Sequence, residues 1–207
     1  MYKEILNKKQ VELLPLLYHF SENHFYLAGE TSLALQLGHR ESVDLDLFTF
    51  EEFDNLNILK SINKIYPTSK INVLIDVLDE YTCILNSVKV TFLRYPFVVK
   101  DINKLDNINL ANELTIGAMK AYALGRRSKW KDYVDLYILL QKYSIKDICN
   151  KAKEIFGTVF SEKLFLQQLS YFKDIDYTEK IIWKKIDIPS NTKIEDFLKN
   201  ISIDALV

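Results

Sequence analysis

Between Phe25 and Phe48 the chain reads as a strand, a glycine turn, a short helix and a second strand that carries two aspartates. Phe25 to Ala28 is an apolar run long enough for a buried strand. Gly29 lets the backbone turn, and Thr31 or Ser32 is placed to cap the helix that follows. Gly38 offers that helix a left-handed C-terminal stop. After the polar turn His39 to Ser42 the chain re-enters as Val43-Asp44-Leu45-Asp46-Leu47-Phe48. A period of two puts Asp44 and Asp46 on one face of this strand and Val43, Leu45 and Leu47 on the other.

Two aspartates on one strand face repel, and aspartate is depleted in strands. Two readings account for them. One is a half-buried strand with a wet polar face behind an ordinary helix cap. The other is a hard divalent cation held by Asp44 and Asp46, which removes the repulsion and bridges to phosphate oxygens. The glycine turn at a helix N-terminus, with its free N–H groups and positive dipole end, suits the phosphates of a nucleotide.

Leu27 to Leu35 and Gly38 to Phe48 resemble the AbiEii/AbiGii-type nucleotidyltransferase-like toxins, bacterial proteins with a polymerase-β-like core. A second block matches in the same order: Met119 to Leu124, then Arg127 to Tyr137. The resemblance spans about residues 25 to 140. It implies a metal-dependent transfer of a nucleotidyl group from an NTP to an acceptor, with RNA, tRNA above all, expected. It also implies a toxin of a toxin–antitoxin or abortive-infection (phage-defence) system, with a cognate antitoxin as partner.

The roles it implies are residue by residue. Asp44 and Asp46 hold Mg²⁺ or Mn²⁺. Gly29, Thr31, Ser32 and Ser42 bind the substrate phosphates, with Arg127 and Lys129 as further substrate contacts. Lys120 and Asp135 complete the catalytic set with the two aspartates. Glu30 stands where the family carries a second glycine, and either repels a triphosphate or caps the helix. The third carboxylate of many nucleotidyltransferases falls at Thr91 here, with Asp76 as an alternative.

The rest of the chain frames this centre. An amphipathic helix is expected over Lys3 to Glu22, split or kinked at Pro15. A helix follows within residues 51–66, ended by Pro67, then strands at Ile71 to Leu78, Tyr81 to Leu85 and Val88 to Leu93. Asn86-Ser87 reads as a tight hairpin turn. Residues 98–110 read as a polar loop, and the pattern is helical beyond them. Gly125 is expected to stop a helix, and Asp174-Ile175-Asp176 to lie in a loop. The fold class is therefore α/β (α+β): a nucleotidyltransferase-like mixed sheet of four or five strands with packed helices, residues 1–108, followed by an α-helical half, residues 109–207.

Composition adds bounds. A net charge of −1 over 207 residues excludes bulk electrostatic capture of nucleic acid, but not a local patch. Arg126, Arg127, Lys129 and Lys131 form such a patch, with Trp130 among them either stacking on a base or packed between helices. Cys83 and Cys149 are far apart and lack metal spacing, and no apolar run reaches membrane-span length, so a reduced cytoplasmic protein without a membrane partner is expected. Three other functions stay open: a degenerate nucleotide-binding protein, an enzyme that modifies a protein, and an interaction module that needs neither metal nor nucleotide.

Overall fold

A computed structural model describes residues 1–124, 126–127, 129–184 and 187–205. Its contacts divide the chain into two units, Met1–Asn112 and Glu113–Val207.

The first unit opens with a 3₁₀ turn, Lys3–Ile5, and two helices, α1 (Lys8–Glu12) and α2 (Leu14–Glu22). The expected single helix is thus broken into three pieces. Asn7 and Gln10 exchange backbone-to-side-chain hydrogen bonds of 3.0 Å at the start of α1. Pro15 falls in the first turn of α2, where its missing N–H leaves nothing unpaired.

Strand β1 (Tyr26–Leu27) leads into α3 (Gly29–Leu37), and β2 (Leu45–Thr49) follows. Helix α3 starts three residues earlier than a Thr31 cap requires and four earlier than a Ser32 cap does. Its N-cap is Ala28, without a side-chain cap bond, while Thr31 and Ser32 lie inside the helix. Gly38 ends it at φ 61, ψ 22, as the left-handed stop demands.

After α4 (Asn55–Ile65), capped by Asp54, come β3 (Ile71–Val77), β4 (Glu80–Leu85) and β5 (Val88–Arg94). Asn86 and Ser87 both take positive φ, 50 and 67, the geometry of a two-residue hairpin turn. The polar stretch read as loop carries a further hairpin, β6 (Ile102–Leu105) and β7 (Ile108–Ala111). The sheet therefore has seven strands rather than four or five, in the order β3-β4-β5-β2-β1-β7-β6. Two pairs are parallel, β2 with β5 and β1 with β7, and the others are antiparallel.

Register sorts the side chains by face. Leu47 pairs with Phe92, which pairs with Tyr81, and all three are buried. This face packs on a core containing Leu16, Leu17 and Phe20 of α2 and Ile58 and Ile62 of α4. Asp46 pairs with Thr91, which pairs with Thr82, and this row lies on the opposite face. Burying Leu45 and Leu47 thus turns both aspartates away from that core.

The second unit is helical: α5 (Glu113–Leu124), α6 (Trp130–Leu139), α7 (Ile145–Phe156), a 3₁₀ turn (Gly157–Val159), α8 (Glu162–Leu169) and α9 (Asn191–Asp204). Ser144 and Asp147 form a capping box at α7, and Tyr122 of α5 stacks on Phe156 at 4.2 Å. Gly125 and Ser128 lie outside the described residues. Asp174 to Asp176 is a connection rather than a regular element, touching Lys129 through one isolated parallel bridge.

Candidate functional site

The glycine turn and the paired aspartates meet in space. Gly29 sits at φ +63, and a Cβ built on it would lie 2.7 Å from Asp46 Oδ2. Any other residue at this position would therefore both strain the backbone and collide with the carboxylate. The Ala28 N–H donates to the Asp46 carbonyl at 2.8 Å, tying the start of α3 to β2. The N-terminal N–H groups of α3 are thereby brought beside the Asp46 side chain.

Thr31 and Ser32 are buried, and their hydroxyls serve the backbone. Thr31 Oγ1 donates to the Asp44 carbonyl and bonds Ser42 Oγ at 2.7 Å, holding the residues that precede β2. Ser32 Oγ donates to the Ala111 carbonyl at 3.0 Å. These side chains set the turn's shape.

The aspartates carry the electrostatic cost of their placement. Burial pushes the Asp46 carboxyl up to about 6, and the charges of Asp44 and Glu30 add to the rise. Lys89 and a hydrogen bond from Thr91 oppose it. Lys89 Nζ lies 3.9 Å from Asp44 Oδ2, both side chains being nearly half exposed. Sequence reasoning passed over Lys89, although the period of two in Val88 to Phe92 places it on the face of Thr91.

A divalent cation fits this centre. Two adjacent carboxylates, one of them destabilised by burial and by its neighbour, make a hard-oxygen donor pair, and the missing Cβ of Gly29 keeps Asp46 Oδ2 clear. Among the described residues no group of three His, Cys, Asp or Glu side chains gathers to hold a metal. A pair alone suits an ion such as Mg²⁺, which takes one or two carboxylates and keeps its other positions for water and phosphate oxygen. Asp76 does not extend the pair: it is in register with Tyr81, on the buried row's side of the sheet, and accepts from Asn55 Nδ2 at 2.7 Å.

Glu30 lies in the first turn of α3 and is paired. Its carboxylate lies 3.1 Å from the guanidinium of Arg40, which is fully buried and also donates to the Glu41 carbonyl. Glu30→Gln is expected to lower stability by about 2 kcal/mol, because it weakens the pairing of a buried cation. A urea titration by circular dichroism measures this, and an unchanged midpoint would refute it.

In the second unit, Lys120 is buried between two fully buried aspartates, its Nζ 2.8 Å from Asp132 Oδ1 and 2.7 Å from Asp135 Oδ2. Arg127, half exposed, makes a two-pronged contact with Asp132 at 2.8 and 3.0 Å. Burial would raise the Asp132 carboxyl, but Lys120 and Arg127 together hold it below the usual range. The spacing of Asp132 and Asp135 at i, i+3 was legible, whereas the burial of Lys120 was not.

The basic connection is also internally partnered. Arg126 stacks on Tyr122, with Cζ 3.6 Å from the ring centre, and Lys129 and Lys131 lie 2.8 and 2.7 Å from the two oxygens of Glu179. Trp130 is packed, tilted on Tyr177 at 4.9 Å. The hydrogen bonds from the two lysines bring the Glu179 carboxyl down from 4.5 to about 2. A depressed carboxylate contributes stability that is present above pH 4.5 and lost as pH falls toward 2. Glu179→Gln should therefore cost about 1 kcal/mol at pH 7, after discounting for its exposure, and nothing near pH 2. Parallel denaturation curves at the two pH values test the difference.

The mixed sheet, with a helix N-terminus set against the strand that carries Asp46 and directly follows Asp44, defines a nucleotidyltransferase fold. JHP933 from Helicobacter pylori aligns with a TM-score of 0.56 at 17% identity, covering 99% of this chain and 91% of that one. MenT4, a nucleotidyltransferase toxin from Mycobacterium tuberculosis H37Rv, aligns with a TM-score of 0.56 at 13% identity, covering 95% and 84%. Residues 15–186 match the nucleotidyl transferase AbiEii toxin family of type IV toxin–antitoxin systems, and the chain belongs to that family. The Aquifex aeolicus (strain VF5) protein aq_aa25 is 31% identical over 190 residues, 86% of this chain and 90% of its own length. The protein is a nucleotidyltransferase of this toxin family. Among the described residues no helix is long and apolar enough to cross a membrane.

Proposed function

We propose that the chain transfers a nucleotidyl group from an NTP to a hydroxyl of RNA, tRNA being the expected acceptor, in a reaction that depends on Mg²⁺ or Mn²⁺ at Asp44 and Asp46. The observation that carries this reading is the contact of the α3 N-terminus with a carboxylate: the Gly29 Cα has room for no Cβ beside Asp46. An anion-binding backbone and a cation-binding side chain are thus adjacent, as a metal-bound triphosphate requires. When bound, the cation would neutralise phosphate charge and polarise the attacked phosphorus.

The chain's own groups do the rest. The N–H groups from Gly29 onward take phosphate oxygens, while Thr31 and Ser42 hold Asp44 and Ser32 fixes α3 to the sheet. Lys120, Asp135, Arg127 and Lys129 serve the same reaction in this proposal. Asp132 and Asp135 hold the Lys120 ammonium in place, and Asp132 holds the half-exposed Arg127. The nucleotidyltransferase-like part is taken as residues 1–108 and the helical part as residues 109–207. The setting is a cytoplasmic toxin opposed by a cognate antitoxin.

The deciding assay incubates purified protein with labelled NTPs, Mg²⁺ and total tRNA, and reads label and mass shift on the RNA. Label on protein instead of RNA would move the acceptor to a polypeptide. One observation favours a second reading: Thr91, not a carboxylate, is the β5 neighbour that hydrogen-bonds Asp46. A protein that binds NTP with Mg²⁺ and labels nothing would be the degenerate relative that this substitution allows.

A further inference from the structure

Lys89 is a cation at the aspartate pair to which no role has been given above. It precedes by one residue the Val90 that pairs with Leu45, so it flanks Asp44 across the parallel β2–β5 pair. Its Nζ is 3.9 Å from Asp44 Oδ2, with the two side chains 46% and 44% exposed. That separation exceeds a hydrogen bond, so charge rather than a directed bond holds the ammonium there. Two residues on, Thr91 donates to Asp46. Strand β5 therefore offers the aspartates a positive charge and a hydrogen bond.

The surrounding charges show why this matters. Asp44, Asp46 and Glu30 bring three negative charges, and Lys89 and Arg40 bring two positive ones. Arg40 is buried and bound to Glu30 and to the Glu41 carbonyl. Lys89, on a flexible four-carbon stem at a half-exposed position, is the one of the two that is able to move. A divalent cation arriving on Asp44 and Asp46 competes with the ammonium for Asp44 and then repels it. A triphosphate arriving with that cation supplies new negative oxygens within the reach of the stem.

We propose that Lys89 is an exchanging counter-ion: it neutralises Asp44 when the site holds no divalent cation, and contacts the substrate phosphates when the metal–nucleotide is bound. The inference rests on the cation site proposed at Asp44 and Asp46. It makes two binding effects of opposite sign, which a merely structural ion pair does not.

The test compares wild type, Lys89→Met, Lys89→Arg and Asp46→Asn in two titrations: Mn²⁺ alone, followed by electron paramagnetic resonance, and a non-hydrolysable NTP analogue with Mg²⁺, followed by calorimetry. Lys89→Met keeps the stem and removes the charge. It is expected to bind Mn²⁺ about threefold to tenfold more tightly, and the analogue weaker by a similar factor. Lys89→Arg should behave as wild type in both. Unchanged affinities in Lys89→Met, or weakening of both, overturn the exchange. If Asp46→Asn loses Mn²⁺ while Lys89→Met matches wild type, only the role of Lys89 falls. If Asp46→Asn retains Mn²⁺ affinity, the cation site itself falls, and the exchange with it.

Discussion

Asp46→Asn should lower nucleotidyl transfer by about a thousandfold while raising the stability of the fold. The activity loss follows from removing one of only two carboxylates that would hold the cation, a contribution of several kcal/mol to the barrier. The stability gain follows from the burial, the Asp44 charge and the Glu30 charge that together push the Asp46 carboxyl from 3.8 to about 6, against Lys89 and Thr91. A carboxyl raised on folding favours the folded state only while protonated, so its stabilisation is complete below pH 3.8 and disappears as pH rises through 6. At pH 7 the ionised side chain costs the wild type about 1–3 kcal/mol, which the neutral amide avoids. Asparagine keeps the size of the side chain and an oxygen to accept from Thr91. Melting curves from pH 4 to pH 8 should show the variant gaining on the wild type between about 4 and 6. Equal loss of stability and activity would mean that Asp46 is a structural residue.

Lys120→Met is the second large effect, and it should appear first as instability. The ammonium lies within 2.8 Å of one fully buried aspartate and 2.7 Å of another. Its removal leaves Asp132 with the Arg127 contact and takes from Asp135 its 2.7 Å partner. Breaking a buried ion cluster by deleting one member costs about 3–5 kcal/mol, a large share of the stability of an ordinary domain. Replacing the opposing charge as well, in Lys120→Met with Asp135→Leu, should recover much of the loss, since no uncompensated charge then stays in the interior. Denaturant titration of the single and double variants measures the coupling. If Lys120→Met instead keeps full stability and loses only transfer, the lysine is a substrate contact held at no structural cost.

These two residues show how differently sequence bears on stability and on chemistry. Asp44 and Asp46 were legible because a strand's period of two is local: burying Leu45 and Leu47 decides where the intervening aspartates point. The Gly38 stop and the Asn86-Ser87 turn were legible for a similar reason, each being a φ preference of one or two residues. Strands β6 and β7 were not, because Ile102 to Ala111 is rich in Asn and Asp, and its pairing is supplied by β1, some eighty residues earlier.

What the sequence by itself determined is the strand–turn–helix–strand at Phe25 to Phe48, the face that carries Asp44 and Asp46, and the family to which both motif blocks belong. Each rests on local periodicity, on glycine's backbone freedom or on residue identity, none of which needs distant partners. Tertiary structure alone decided where the charges pair. Glu30 meets Arg40 ten residues on, Lys120 sinks between two aspartates, and Glu179 gathers Lys129 and Lys131 from some fifty residues away. A side chain's charge is written in the sequence, but its partner and its exposure are set by the packing of elements, and these determine whether it grips a substrate or holds the fold.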